Sequence, residues 1–329
     1  MSTHLSPDRI LGDLANLWAN LGKQGTPETG MGVLRACSMT LVVIAPPSEE
    51  FSALQETIKN LMPEHPARTI VVCLRPEAKE LSSRINAACW MPFGQRRQIC
   101  CEQIDITAPE GSLGDVATVI APIAAADLPL VLWCRCQGVA ESSEFERLAK
   151  MAEKVVVDSG AWPDPAAAIQ RLAELHARGI TLGDLSWTHL TRWREMLSQV
   201  FENPMYAAHL PEISRVRVRF SATTMRVMAR YMGAWLVNAL EDAGVRVELT
   251  FEPGAKEPGV ELSGADFRVE LTREQDRMVT TVGQLSNQAS LPEYTDCSLL
   301  REELSILRPD PTFERALKTA TQLAVRRET

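Results

Sequence analysis

Four short apolar runs rich in β-branched residues, separated by stretches of helical period, constrain this chain most. They are SMTLVVIA (38–45), TIVVCL (69–74), LPLVLWC (128–134) and KVVVDS (154–159). Runs of that length with no polar alternation fit strands covered on both faces. Between the first two, Phe51, Leu54, Ile58 and Leu61 recur at helical spacing within 49–61. That makes a βαβ unit with a right-handed crossover. RQICCEQIDI (97–106) reads as another strand, 113–123 and EFERLAKMAE (144–153) as helices, and 165–178 as a helix stopped by Gly179. At the start, Ser6 can cap a helix opened by Pro7, with Ile10, Leu14, Leu17, Trp18 and Leu21 on one face. A Gly- and Thr-rich loop follows over 22–32. The pattern predicts an N-terminal α/β domain over 1–182, a mainly parallel, Rossmann-like sheet flanked by helices.

The second half has a different period. In SRVRVRF (214–220), Val216, Val218 and Phe220 share one face, and Arg215, Arg217 and Arg219 share the other. Strict alternation predicts a half-buried strand, as it does for VRVELTF (245–251) and DFRVEL (266–271). A long helix over 223–240 and two more near 299–307 and 311–325 complete a C-terminal α+β domain over 183–329. Its sheet is expected to be antiparallel. The arginine row is either a solvated face paired with carboxylates or a docking face for an acidic partner.

Length and charge narrow the function. With 329 residues and 45% apolar content the chain can bury two cores. No run approaches the roughly 18 apolar residues of a membrane span, and MSTHLSPDRILGDLANLW lacks the layout of a signal peptide. A cytoplasmic location is expected. A net charge of −8 without a basic run is a poor footprint for nucleic acid. The eight cysteines are expected as thiols in a reducing compartment.

Signals for cofactors are weak. Gly30-Met31-Gly32 precedes a strand instead of following one, so no dinucleotide turn is built, and there is no Walker-type loop. The five histidines are scattered and no HExxH occurs, so no cofactor or metal is expected. Cys134 and Cys136 fall on one face of a strand, while Cys100 and Cys101 on a neighbouring strand face opposite ways. Plain buried thiols, a zinc site and a redox pair drawn from these four all remain open. Asp158-Ser159 ends a strand at the carboxyl edge of the parallel sheet, where α/β ligands bind, although a serine satisfying backbone there is ordinary. In EHPAR (64–68), Pro66 sets a turn that leaves His65 and Arg68 exposed for an anion or a partner carboxylate, or as a plain polar loop.

DLSWTHLTRWREML (184–197) is the densest motif. Asp184 and Ser186 suit a helix start, and Trp187, Leu190, Trp193, Leu197 and Phe201 form an apolar stripe. Such a stripe is expected to pack against the first domain. His189, Arg192 and Arg194 beside the tryptophans also fit the composition of an interaction hot spot.

Together, RACSMTLVV (35–43), HPAR (65–68), CCEQI (100–104), DLPLVLW (127–133), VVVDS (155–159) and DLSWTHLTRWRE (184–195) resemble the OpcA family, the glucose-6-phosphate dehydrogenase assembly proteins of bacteria. The resemblance covers about 35–201; beyond Phe201 only general character matches. One departure is Cys134, where many members carry a second tryptophan after Trp133. The resemblance implies a non-catalytic protein that binds glucose-6-phosphate dehydrogenase, supports its active oligomer and raises its activity. The candidates for partner contact are His65, Arg68, Trp133, Asp184, Trp187, Arg192, Trp193 and Arg194; the candidate redox thiols are Cys100, Cys101, Cys134 and Cys136. A homo-oligomer is compatible with this picture. The alternative is a sugar- or phosphosugar-processing enzyme working near Asp158 and Ser159.

Overall fold

The computed structural model describes residues 5–24, 33–46, 51–92, 97–221, 226–291 and 293–325. The chain forms two compact units. One comprises Met1–Val157, Ile180–Leu182 and Asp296–Arg308; the other comprises Asp158–Gly179, Gly183–Thr295 and Pro309–Thr329.

The first unit opens with the helix Pro7–Gln24, whose Arg9 N–H donates to Ser6 Oγ at 3.3 Å. The strands that follow are β1 (Val33–Arg35), β2 (Met39–Ala45), β3 (Ala67–Arg75), β4 (Ser82–Trp90), β5 (Gln98–Pro109), β6 (Leu130–Cys134), β7 (Lys154–Val157) and β8 (Leu182–Asp184). They order as β1-β5-β3-β2-β6-β7-β8, with β4 pairing β5 from outside that path. Pairings along β1, β5, β3, β2, β6 and β7 are parallel. Every residue of β2, β6 and β7 is buried, as both-face coverage requires. The helices Phe51–Leu61 and Leu113–Ile123 stand where the helical spacing puts them.

Strand β4 is not signalled by the sequence pattern. It lies antiparallel to β5, and most of its residues are only half-buried, so no apolar run marks it. The helix expected over 299–307 is Asp296–Leu304, in this unit. Buried Lys154 fixes its end, pairing with Glu303 and donating to the carbonyls of Glu303 at 3.1 Å and Ile306 at 2.7 Å. A cation at a helix C-terminus satisfies carbonyls that have no intrahelical donor.

The second unit contains β9 (Arg215–Phe220), β10 (Glu248–Pro253), β11 (Gly259–Ser263), β12 (Arg268–Glu274), β13 (Arg277–Val282) and β14 (Leu285–Ser290), ordered β10-β9-β11-β12-β13-β14. All pairs are antiparallel except β9 with β10, which are parallel and joined through the helix Arg226–Asp242. A helix between consecutive strands allows a parallel return, so the sheet is mixed. The helix expected from 223 begins at 226 among the described residues; 223–225 lie outside them. Val216, Val218, Val260, Leu262, Val269, Leu271 and Met278 make the apolar face. On the opposite face Arg219 pairs with Glu270, Arg217 with Glu252 at 3.4 Å, and Arg268 with Glu261 at 2.9 Å. Two members of the arginine row, Arg217 and Arg219, are thus paired with carboxylates of the same sheet.

Candidate functional site

Asp184 closes β8 and caps the short helix Leu185–Thr188, accepting the Ser186 N–H at 3.0 Å. The same carboxylate accepts the Ser159 N–H at 3.1 Å, the Ser159 hydroxyl, and the Tyr231 hydroxyl at 2.8 Å. Ser186 Oγ donates to Asp158 Oδ1 at 3.0 Å and accepts the Gly160 N–H at 2.8 Å. A Cβ on Gly160 would stand 2.6 Å from Ser186 Oγ, so this approach requires glycine. Burial pushes Asp184 up to about 7, opposed by the Ser159 hydrogen bond and reinforced by the Asp158 charge. Tyr231 is driven well above its usual value by burial and by the Asp184 charge.

This cluster holds Asp158 and Ser159, the candidate pair for catalysis. Ser159, Asp184 and Tyr231 are each 0% exposed, and among the described residues no imidazole hydrogen-bonds to Ser159. The Ser159 hydroxyl spends its proton on Asp184 inside this closed network. Chemically the arrangement is a shielded polar network that ties three chain segments together.

The tryptophan motif wraps this network. Trp187 donates Nε1–H to Asp310 Oδ2 at 2.9 Å, meets the Tyr231 ring edge-on at 6.1 Å and lies 5.7 Å from Phe313. The Arg194 guanidinium stacks over the Trp187 ring at 3.8 Å. Trp187 and Trp193 are both 3% exposed. The stripe is core, as its spacing indicates, but Trp187's ring partners belong to its own unit, not to the first domain as expected. The helix is also broken: Leu185–Thr188 and Thr191–Glu202 are separate. Arg192 keeps a side chain 35% exposed and pairs with Glu195 at 3.2 Å.

In the first unit, Arg68 is buried, not exposed as the turn suggested. It opens β3 and directs Nε to Glu102 and Nη1 to the Ile123 carbonyl at 2.7 Å. Glu102 also accepts Trp18 Nε1–H at 2.6 Å and Arg35 Nη2–H at 2.9 Å. Burial alone would raise this carboxyl, yet the hydrogen bonds from Trp18 and Arg68 and the two guanidinium charges hold it below its ordinary value. His65 is half-buried, its Nε2 3.1 Å from the Arg301 carbonyl oxygen. Trp133 is fully buried beneath the Arg135 guanidinium at 4.4 Å, and Arg135 reaches Asp296 at 2.6 Å.

The four candidate thiols do not converge. Cys100 is joined in a disulfide to Cys89 on β4, a pairing that no sequence pattern signals because β4 itself carries no apolar period. This departs from the expectation of thiols throughout. Cys101 faces the other way and donates to the Ala36 carbonyl; burial pushes it up to about 11. Burial pushes Cys134 up to about 12, and Cys136 has left the strand to precede the helix Gln137–Glu141. A raised thiol is a poor nucleophile. Among the described residues no group of three or more His, Cys, Asp or Glu could hold a metal ion. Gly30-Met31-Gly32 lies outside the described residues. No helix among them is long and apolar enough to cross a membrane.

Comparison with known proteins bears on both units. Two family models match, those of the N-terminal and the C-terminal domains of the glucose-6-phosphate dehydrogenase subunit; the first covers residues 42–174 and the second 180–317. A Synechocystis sp. protein, "Putative OxPP cycle protein OpcA", is 26% identical over 215 residues, 64% of this chain and 44% of the relative. Its namesake in Nostoc punctiforme is 28% identical over 181 residues, 54% of this chain and 38% of the relative. The chain therefore spans less than half the length of these relatives. Among solved structures, the 3-ketoreductase KijD10 from Actinomadura kijaniata is similar with a TM-score of 0.48 and 13% identity, covering 87% of this chain and 96% of that one. Biliverdin reductase from Synechocystis sp. is similar with a TM-score of 0.45 and 10% identity, covering 87% and 98%. At such scores the likeness carries nothing about activity.

Proposed function

This chain belongs to the OpcA family of glucose-6-phosphate dehydrogenase subunits, and from that premise we propose that it is a non-catalytic assembly protein that binds the dehydrogenase and stabilises its active form. The observation that carries this over the enzymatic alternative is the full burial of Ser159, whose hydroxyl is committed to Asp184, while Asp158, the half-buried carboxylate of the candidate pair, accepts the Ser186 hydroxyl. An activator of this kind works by binding the productive state more tightly than the unproductive one. A tenfold activation needs only about 1.4 kcal/mol of such preference.

Arg192, with Glu195 beside it, supplies the part of the tryptophan motif still open to a partner. The buried Trp187 and Trp193 support that edge from beneath. The test is a dehydrogenase assay at limiting glucose 6-phosphate with and without this chain, paired with sedimentation of the mixture. A rise in activity together with a larger particle is expected. Unchanged kinetics and no association would overturn the proposal, as would turnover of a sugar phosphate by this chain alone.

A further inference from the structure

One row of facing residues crosses the sheet of the second unit: Val218 on β9, Val260 on β11, Leu271 on β12, Thr280 on β13 and Asn287 on β14. Facing residues of antiparallel strands share a side of the sheet, so this row runs along its apolar face. Its first three members are aliphatic. At the last two strands it turns to a hydroxyl and then to an amide. Thr280 is 7% exposed, and its Oγ1 has no hydrogen-bond partner among the described residues. A buried hydroxyl left unpaired costs free energy that valine, of the same shape, would avoid.

Thr280 opens into a cavity of about 470 Å³ between these two strands and the helix Thr191–Glu202. The helix turns Arg192, Met196, Gln199 and Asn203 toward it, at three- and four-residue steps that share one face. Met196, also 7% exposed, and Thr280 form the floor, while the exposed amides of Gln199, Asn203 and Asn287 stand at the rim. Tyr206 adds an aromatic ring. Among the described residues that line the cavity there is no aspartate or glutamate, and Arg192 is the one charged member.

We propose that this cavity binds a phosphorylated sugar, which supplies the hydrogen bond that Thr280 lacks. Each feature of the lining matches one part of such a ligand. A sugar hydroxyl both donates and accepts, as do side-chain amides and the threonine hydroxyl, so Thr280, Gln199 and Asn287 suit several hydroxyls. A lining without carboxylates does not repel an anionic group, and Arg192 is placed to take one. Tyr206, Met196 and Val282 offer apolar surface to the C–H face of the ring. Gln199 lies about 10 Å along the helix axis from Arg192, a span that lets a hexose phosphate reach both. The volume falls in the range of small-molecule sites. This inference goes beyond the assembly role. It concerns binding by the chain alone, and it stands or falls separately from association with the dehydrogenase.

The test is titration calorimetry and thermal melting of the full chain with glucose 6-phosphate, glucose and inorganic phosphate, each at up to about 10 mM. Glucose 6-phosphate is expected to bind saturably and to raise the melting midpoint. Glucose and inorganic phosphate are each expected to bind at least tenfold more weakly. Thr280→Val is the diagnostic variant, because it removes the hydroxyl at constant shape. Its ligand-free chain should melt higher than the wild type, yet glucose 6-phosphate should bind it at least tenfold more weakly. A purely structural threonine would not move those two measurements in opposite directions. Asn287→Leu should weaken the sugar phosphate and glucose alike, whereas Arg192→Ala should lower the sugar phosphate to the affinity of glucose. No heat and no melting shift, the behaviour of a cavity for water only, would overturn the proposal. So would inorganic phosphate binding as tightly as the sugar phosphate, which marks an adventitious anion at Arg192. A Thr280→Val chain that binds glucose 6-phosphate unchanged would overturn it as well.

Discussion

Tyr231 donates its phenolic proton to Asp184 at 2.8 Å across 47 residues of sequence, and both side chains are fully buried. The carboxyl has four hydrogen-bond donors around it but no cation among them. That balance explains why burial prevails and the group is pushed up to about 7. Such a site stabilises the fold most when it is protonated.

The pH dependence follows. From its ordinary value near 3.8 up to about 7, the folded chain holds a proton on Asp184 that the unfolded chain has released. Stability from this group is therefore full at low pH and declines as pH rises towards 7, by up to about 1.4 kcal/mol per pH unit. Burial also holds His189 down to about 4, so stability from that group rises with pH up to its ordinary value near 6.5 and opposes the Asp184 slope. Denaturant titrations between pH 5 and 8 should therefore show the wild type losing stability with rising pH relative to Asp184→Asn, whose amide keeps an acceptor for the Ser159 and Ser186 N–H groups without ionising. A variant with an unchanged slope would remove Asp184 as its source.

Glu102 has the opposite sign. Its folded value is depressed, so its contribution is present at neutral pH and is lost as pH falls through that value. Arg68 and Glu102 are both buried, so Arg68→Ala removes the carboxylate's buried cation, leaves only the half-exposed Arg35 and the Trp18 N–H to offset its charge, and should destabilise by about 3 kcal/mol. The double variant Arg68→Met with Glu102→Leu should recover much of that loss. In Glu102→Gln, stability should differ less between acid and neutral pH than it does in the wild type.

The contrast between these two carboxylates shows where the sequence was legible. MTLVVIA and KVVV declare themselves as buried strands because every residue is apolar or covered, and the parallel sheet follows from their spacing. The stripe through Trp187 and Trp193 declares a core in the same way. SSRINAACW and LSNQAS do not, since edge strands of low burial need no apolar period. The network around Asp184 was also hidden. Its donors Ser159 and Tyr231 stand 25 and 47 residues away, and no local pattern marks residues that meet only after folding. The same applies to Arg68, whose turn suggested exposure until Glu102 on β5 supplied a partner.

The Cys89–Cys100 disulfide predicts a thiol count. Denatured without reductant, the chain should titrate six thiols, and with reductant eight. The bridge spans 11 positions, and closing a loop of that size should stabilise by about 2–3 kcal/mol. Cys89→Ala should lower the denaturation midpoint by a matching amount and abolish the response to reductant. Eight titratable thiols in the unreduced chain would discard the bridge.

Arg192 and Trp193 are adjacent in sequence but differ in what they can do. Trp193 is 3% exposed, so Trp193→Ala opens a cavity and should cost about 3–5 kcal/mol. Any loss of activation in that variant would follow from loss of fold. Arg192 stands at the surface with an exposed ion pair to Glu195, so Arg192→Ala should change stability by less than about 1 kcal/mol. If this edge meets the dehydrogenase, the same variant should weaken activation severalfold while its melting curve stays unchanged, and Arg192→Lys should recover only part of it because a lysine cannot reproduce the planar fork. Full activation by a folded Arg192→Ala chain would move the interface away from this motif, since the indoles beneath are committed to the core.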